Sequence, residues 1–163
     1  MSLTPKRADE SATEMVQVVL PNDANPLGFM LGGSVMHLID IAGAIACYRH
    51  ARQRVVTAAV DEMQFLHSIR VGDMIILKAS VTCAFHTSME VQVDVFSEEA
   101  LTGDRRLTSR AFLTFVAIDE AGGRVPVPPL VIETEAQAEV ARDAQARREQ
   151  RLKRKAAAKL PSA

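Results

Sequence analysis

From Leu31 to Ala51 almost every position is apolar or small, in the run LGGSVMHLIDIAGAIACYRHA. A segment this long and this evenly apolar reads as a helix buried on most sides, not one with a single wet face. It is expected from about Gly33 to Arg52. Ahead of it, TEMVQVVL reads as a short strand and PNDANPLG as a turn-rich loop. Four strand-like runs follow the helix. RVVTAAVDEMQFL alternates poorly. In MIILKASVTCAF, alternation places Ile75, Leu77, Ala79, Val81, Cys83 and Phe85 on one face. In SMEVQVDVF, Met89, Val91, Val93 and Val95 oppose Glu90, Gln92 and Asp94. RLTSRAFLTFVAID becomes apolar on both faces in its second half. The turn signals RVGD, FHTS and LTGD separate these runs. One apolar helix and one sheet can satisfy each other only if the sheet curls around the helix. The fold class is therefore α+β: a curved antiparallel sheet of five or six strands wrapped around one central helix, the hotdog architecture.

The ends of the chain differ from this core. Residues 1–11 are polar and are expected to be disordered, residues 12–130 form the folded domain, and residues 131–163 form a helix and tail. That last helix is acidic first and basic last, an order that suits the helix dipole. A chain of 163 residues supports one domain with a real core. The net charge of −1 argues against nucleic-acid binding by the molecule as a whole. Cys47 and Cys83 have no metal-ligand spacing and read as buried free thiols, with no metal site expected. The N-terminus has no apolar core of a signal peptide, and the one long apolar run carries His37, Asp40 and three glycines. A cytoplasmic protein without a membrane span follows as the expectation. Open sheet edges call for a partner, so at least a dimer is expected.

Candidate chemistry concentrates at the central helix. Asp40 lies seven residues beyond Gly33, ~10 Å along the axis. A carboxylate in so apolar a segment needs a partner or a task. A catalytic base, a structural pair with His37, and a helix face that leaves the sheet are the three readings. Gly32 and Gly33 stand at the helix start, where unpaired N–H groups can hold an oxyanion and absent side chains let a ligand approach. A tight turn is their plainer use. Asn25 in the preceding loop can orient a water or a carbonyl, or can make an Asx turn.

In order, Asn25, Gly28, Gly32, Gly33 and Asp40 match the spacing N-x-x-G-x-x-x-G-G-x6-D. Together with VVTAAVDEMQFL, VGDMIILKASV, FHTSMEVQVDV and SRAFLTFVAID, they resemble the hotdog acyl-CoA thioesterases over Glu10 to about Asp119. The resemblance implies hydrolysis of an acyl-CoA to a free acid and CoA. It gives Asp40 the role of general base or nucleophile, and Asn25 of the opposite subunit that of positioning water or carbonyl. It gives the Gly33 N–H, beside Gly32, the thioester oxygen. CoA would run along Ala58, Ala59 and Val60 and along Thr87, Ser88 and Met89, with Arg148 and Arg151 of the basic tail on its phosphates. No cofactor is implied, because CoA belongs to substrate and product. A trimer of dimers is the implied assembly. In this family a glycine often precedes the segment TSM; here Phe85 and His86 fill that turn.

Two other readings share the fold. DANPLG resembles the D-x-N-P-x-H motif of enoyl-CoA hydratases, but Gly28 stands where the catalytic histidine belongs. A non-catalytic acyl-CoA sensor is the other, and the presence of both Asp40 and Asn25 argues against it.

Overall fold

The computed structural model describes residues 3–158. Its elements run β1 (Lys6–Arg7), a 3-10 turn at Ala8–Glu10, β2 (Thr13–Val18), a second 3-10 turn at Pro21–Asp23 and α1 (Gly32–Ala51). Then come β3 (Arg54–Phe65), β4 (Met74–Ala84), β5 (Ser88–Glu98), β6 (Arg105–Ile118), β7 (Leu130–Val131) and α2 (Glu135–Ala157). Five strands form one antiparallel sheet in the order β2-β4-β5-β6-β3. Helix α1 touches all five, so the sheet wraps it as expected.

The core is the layer between them. Ile75, Leu77, Ala79 and Val81 of β4, Met89, Val91, Val93 and Val95 of β5, and Ala111, Leu113, Phe115 and Ala117 of β6 all point towards α1. Val35, Leu38, Ile39, Ala42 and Ala46 meet them from the helix. Each large side chain buried here contributes about 1.5–3 kcal/mol. Close approach of helix and sheet needs Gly43, where an added Cβ would lie 3.0 Å from the Phe115 ring and 3.1 Å from Val91. Arg52, in left-handed backbone with φ 52°, ends the helix.

Helix α2 lies on the opposite, outer face of the sheet. Thr134 caps its start by accepting from the Gln137 N–H. Two buried carboxylates then hold it down: Glu90 of β5 takes two hydrogen bonds from Arg147, and Asp61 of β3 takes one from Arg151. Arg147 also lies 3.7 Å over the Phe112 ring.

Two expectations are corrected. Residues 3–11 are ordered, whereas Met1 and Ser2 lie outside the described residues. β1 pairs in parallel with β7, and Lys6 Nζ donates to the Arg49 carbonyl. This order comes from a partner some 120 residues away, so no local pattern announces it. Cys83 does not share the core face of β4. A bulge after Val81 shifts the register so that Cys83 stands opposite Glu90, under α2. The poorly alternating run is one continuous strand, β3, with two register shifts. Both cysteines are buried free thiols, and burial pushes each thiol's pKa up.

Candidate active site

Helix α1 is not covered on every side. Met36 and Tyr48 are 44% and 46% exposed, and with Asp40 they form an i, i+4 stripe that the chain's own sheet leaves open. Asp40 is half-buried on this stripe. Its partner is not His37, which is exposed and does not bond to it. Instead the hydroxyl of Thr57, on edge strand β3, donates to Asp40 Oδ1 at 2.6 Å. Its other carboxylate oxygen has no hydrogen-bond partner among the described residues. Val56, Val60 and Phe65 of β3 are also exposed apolar residues.

The loop before α1 is shaped by Asn25. Its Oδ1 accepts from the N–H of Leu27 at 3.0 Å and of Phe29 at 3.2 Å, the Asx-turn arrangement. Gly28, at φ +83°, lets the chain fold back. Because the oxygen is occupied, the amide nitrogen points its hydrogens elsewhere, and no group among the described residues accepts them. Leu31 precedes the helix without a side-chain cap. The first-turn N–H groups of α1 are therefore free of any cap. The Phe65 ring stands 3.7 Å from where a Gly32 Cβ would be, whereas Gly33 opens onto space with nothing within 4 Å. Asn25, Gly32, Val35, Phe65 and His67 share a groove of about 530 Å³.

On the other side of β3, Ala59 and Val60 line a cleft of about 350 Å³ with Arg147, Gln150, Arg151 and Arg154 of α2. Ala58, exposed, sits in the strand's first bulge. Thr87 and Ser88 are half-buried at the β4–β5 turn. Next to them the Phe85 ring carries the Arg148 guanidinium at 4.8 Å. Two expected ligand contacts change here. Met89 is fully buried: alternation turns it inward with Val91, and its backbone pairs with Ala84 and Phe115. Arg151 is engaged by Asp61 at 2.6 Å and Thr114 at 2.9 Å. Arg147 is likewise spent on Glu90, whose hydrogen bonds hold the guanidinium pKa above its ordinary value. Arg154 is the cation left exposed in the cleft.

Thr57, Gln150 and Arg154 were not singled out among the expected site residues. Thr57 precedes both bulges and keeps the phase of the buried Val55, so alternation with that valine is the signal that places it on the helix side.

Residues 27–103 match the Thioesterase superfamily. An uncharacterized acyl-CoA thioester hydrolase of Bacillus subtilis is 42% identical over 126 residues, 77% of this chain and 73% of that protein. The human cytosolic acyl coenzyme A thioester hydrolase is 33% identical over 133 residues, 80% of this chain; the chain spans only 35% of that protein. Among solved structures, an apo hexameric acyl-CoA thioesterase superposes with a TM-score of 0.89 at 42% identity, covering 94% of this chain and 99% of that one. The acyl-CoA hydrolase of Staphylococcus aureus, solved with butyryl coenzyme A and coenzyme A, superposes at 0.87 with 34% identity, covering 94% of each chain. Further structures of that hydrolase carry single alanine replacements of an asparagine, an aspartate and a threonine.

Proposed function

The chain belongs to the acyl-CoA thioester hydrolases of the thioesterase superfamily, and from that premise we propose how its own residues divide the work. The enzyme hydrolyses an acyl-CoA to a carboxylic acid and CoA. Asp40 uses its free oxygen as a general base on a water molecule, or attacks the thioester carbon itself. Thr57 steadies the carboxylate through the other oxygen. The carbonyl oxygen gathers negative charge as the tetrahedral intermediate forms. The Gly33 N–H at the uncapped start of α1 receives it, where the helix dipole also favours an anion. The free Asn25 amide hydrogens of the opposite subunit hold the carbonyl or the water. CoA then departs as thiolate and takes up the proton that the attacking water gave to Asp40; where Asp40 itself attacked, water next cleaves the acyl-aspartyl anhydride, releasing the acid and restoring the carboxylate. No separate cofactor enters this scheme.

One observation carries the reading: a carboxylate on the open stripe of a central helix, held by a hydroxyl from the neighbouring edge strand. The residue types fit those replaced in the Staphylococcus relative, namely an asparagine, an aspartate and a threonine.

The exposed apolar stripe of α1 and the exposed edge of β3 are the surfaces a second copy covers in this proposal, completing two sites per dimer. Three dimers then form a hexamer, the state of two of the solved relatives. CoA extends past Ala58, Ala59 and Val60 towards Arg154 in the outer cleft, with Thr87, Ser88 and Arg148 at the neighbouring turn. The acyl group lies in the groove between Asn25 and Phe65.

Subunit mixing tests the shared site. Asp40→Ala and Asn25→Ala proteins, each inactive or weak alone, are unfolded together and reassembled. Thiol release should return in the mixture, because some heterodimers contain one intact site. No recovery after confirmed exchange refutes a site built from two chains.

A further inference from the structure

The proposed dimer face uses α1 and β3. A different apolar surface lies on the outer face of the sheet, towards its β2 side. Alternation sends Met15 of β2 to the core, so Val16 and Val18, 53% and 49% exposed, face outwards. Val16 pairs with Ile76, Ile76 with Phe96, and Phe96 with Leu107. One apolar row thus crosses four strands. Ile76 is buried, yet it stands outside the core packed on α1.

The next row carries charge. Glu14 pairs with Lys78, Lys78 with Asp94, and Asp94 with Arg110. Lys78 Nζ lies 3.6 Å from Glu14, and Arg110 Nε lies 2.6 Å from Asp94. Lys78 also sits 5.7 Å over the Phe96 ring, so the two rows touch. Helix α2 is anchored on the far side of the charges, at Glu90, Phe112 and Asp61, and leaves the valines of the apolar row in the open.

Signs alternate along the charged row: minus, plus, minus, plus. Read backwards, the row is its own complement. A second copy, related by a two-fold axis between the faces and parallel to the strands, reverses the order along each row and keeps each row on its counterpart. Glu14 then meets Arg110 of that copy, Lys78 meets Asp94, and the apolar rows meet each other. An apolar strip whose polar rim finds opposite charges has the make-up of a specific protein interface.

We infer that this outer face is a second self-association surface, an isologous contact between two dimers. The inference rests on the hexamer of the proposed function, since two different isologous contacts on one chain, used in turn, close a ring of dimers. Neither α1 nor the edge of β3 takes part in it.

Sedimentation of the full chain tests the surface. Val16→Glu combined with Val18→Glu should convert the hexamer to dimers with an unchanged circular dichroism spectrum, because both side chains are exposed in the single chain. The charged row gives an independent test. Glu14→Lys sets lysine against Arg110, and Arg110→Glu sets glutamate against Glu14, so each variant alone should stop at the dimer. Unfolded together and reassembled, they should regain species larger than a dimer, because each row is then the reversed complement of the other. That recovery identifies a second copy as the occupant. If the valine variant does not fold, the charge variants decide. A native protein that sediments as a dimer refutes the hexamer and this surface with it. If the native protein and the valine variant are both hexameric, only this surface fails, and the row is left to a different partner. Charge variants that stay hexameric alone, or never recover in the mixture, overturn it equally.

Discussion

Thr57 and Asp40 join the edge strand to the middle of the central helix: the threonine hydroxyl donates to Asp40 Oδ1 at 2.6 Å. The bond ties the carboxylate proposed as the base to a strand that also lies at the edge of the sheet. Asp40→Asn should reduce turnover by ~10²–10⁴, the range for a lost general base. Thr57→Val removes one hydrogen bond to a charged group, about 1.5–3 kcal/mol, and should cost roughly 10- to 100-fold if the bond is kept in the transition state. Steady-state thiol release measures both. A Thr57→Val enzyme with full kcat would detach this hydroxyl from the chemistry.

The basic end of α2 divides into two kinds of arginine. Arg147 and Arg151 are committed to Glu90 and Asp61, while Arg148 and Arg154 keep exposed or stacked guanidinium groups near the outer cleft. Arg154→Ala and Arg148→Ala should therefore raise KM for acyl-CoA and leave kcat nearly unchanged, because contacts far from the thioester bind ground and transition states alike. The effect should weaken as salt rises and vanish on acyl-pantetheine. Equal losses on both substrates would remove these residues from CoA recognition.

Two glycines of α1 should respond in opposite ways. At Gly43 a new methyl group meets Phe115 and Val91 at 3.0–3.1 Å. Overpacking of about 1–3 kcal/mol then outweighs the ~1 kcal/mol gained in helix propensity. Gly43→Ala should lower Tm. Gly33 faces open space, so Gly33→Ala should keep or raise Tm while slowing hydrolysis, because the methyl group stands where the carbonyl must come. Thermal scans and rates on the same samples separate the two effects.

His50 sets a pH dependence. It is fully buried; Nε2 lies 2.8 Å from the Pro128 carbonyl and must donate to it, while Nδ1 has no hydrogen-bond partner among the described residues. Burial is the main force lowering its pKa from the ordinary 6.5; nearby Lys6 adds to this, and the Pro128 bond and Glu10 oppose it. The folded protein thus holds the neutral ring, and the unfolded chain binds the extra proton. Stability contributed by the neutral ring is present above about pH 6.5 and is lost as pH falls below it. The fall in Tm from about pH 7 to pH 5 should be steeper in the native protein than in His50→Gln, whose amide can donate to Pro128 but does not titrate in that range. Parallel curves would exclude His50 as the source.

The sequence showed the helix and the smooth strands because their periods are unbroken. β5 buries Met89, Val91, Val93 and Val95 as its alternation requires. Spacing from Asn25 to Asp40 likewise located the loop, the helix start and the acid. What stayed hidden depends on breaks in period or on distant partners. One bulge turned Cys83 to the outer face, and two more interrupt the alternation of β3 beyond Thr57. A charge-rich tail looks like a solvated helix until Glu90 and Asp61, 57 and 90 residues away, are seen beneath Arg147 and Arg151. Exposed Met36 and Tyr48 on α1 and Val56, Val60 and Phe65 on β3 show that a pattern that looks buried everywhere still leaves one apolar face outside the chain's own core.

Asn25 has a property that concerns time more than geometry. Asparagines age when the following backbone nitrogen attacks the side-chain amide, forming a succinimide that opens to aspartate or isoaspartate. The next residue here is Pro26, whose nitrogen carries no hydrogen and cannot make that attack. Under the proposed mechanism, deamidation at Asn25 would swap the amide donor for a negative charge beside a developing oxyanion. The Asn–Pro pair closes this route. Of the chain's two asparagines, only Asn22, followed by Asp23, has a backbone N–H after it, so chemical wear falls on the one outside the groove.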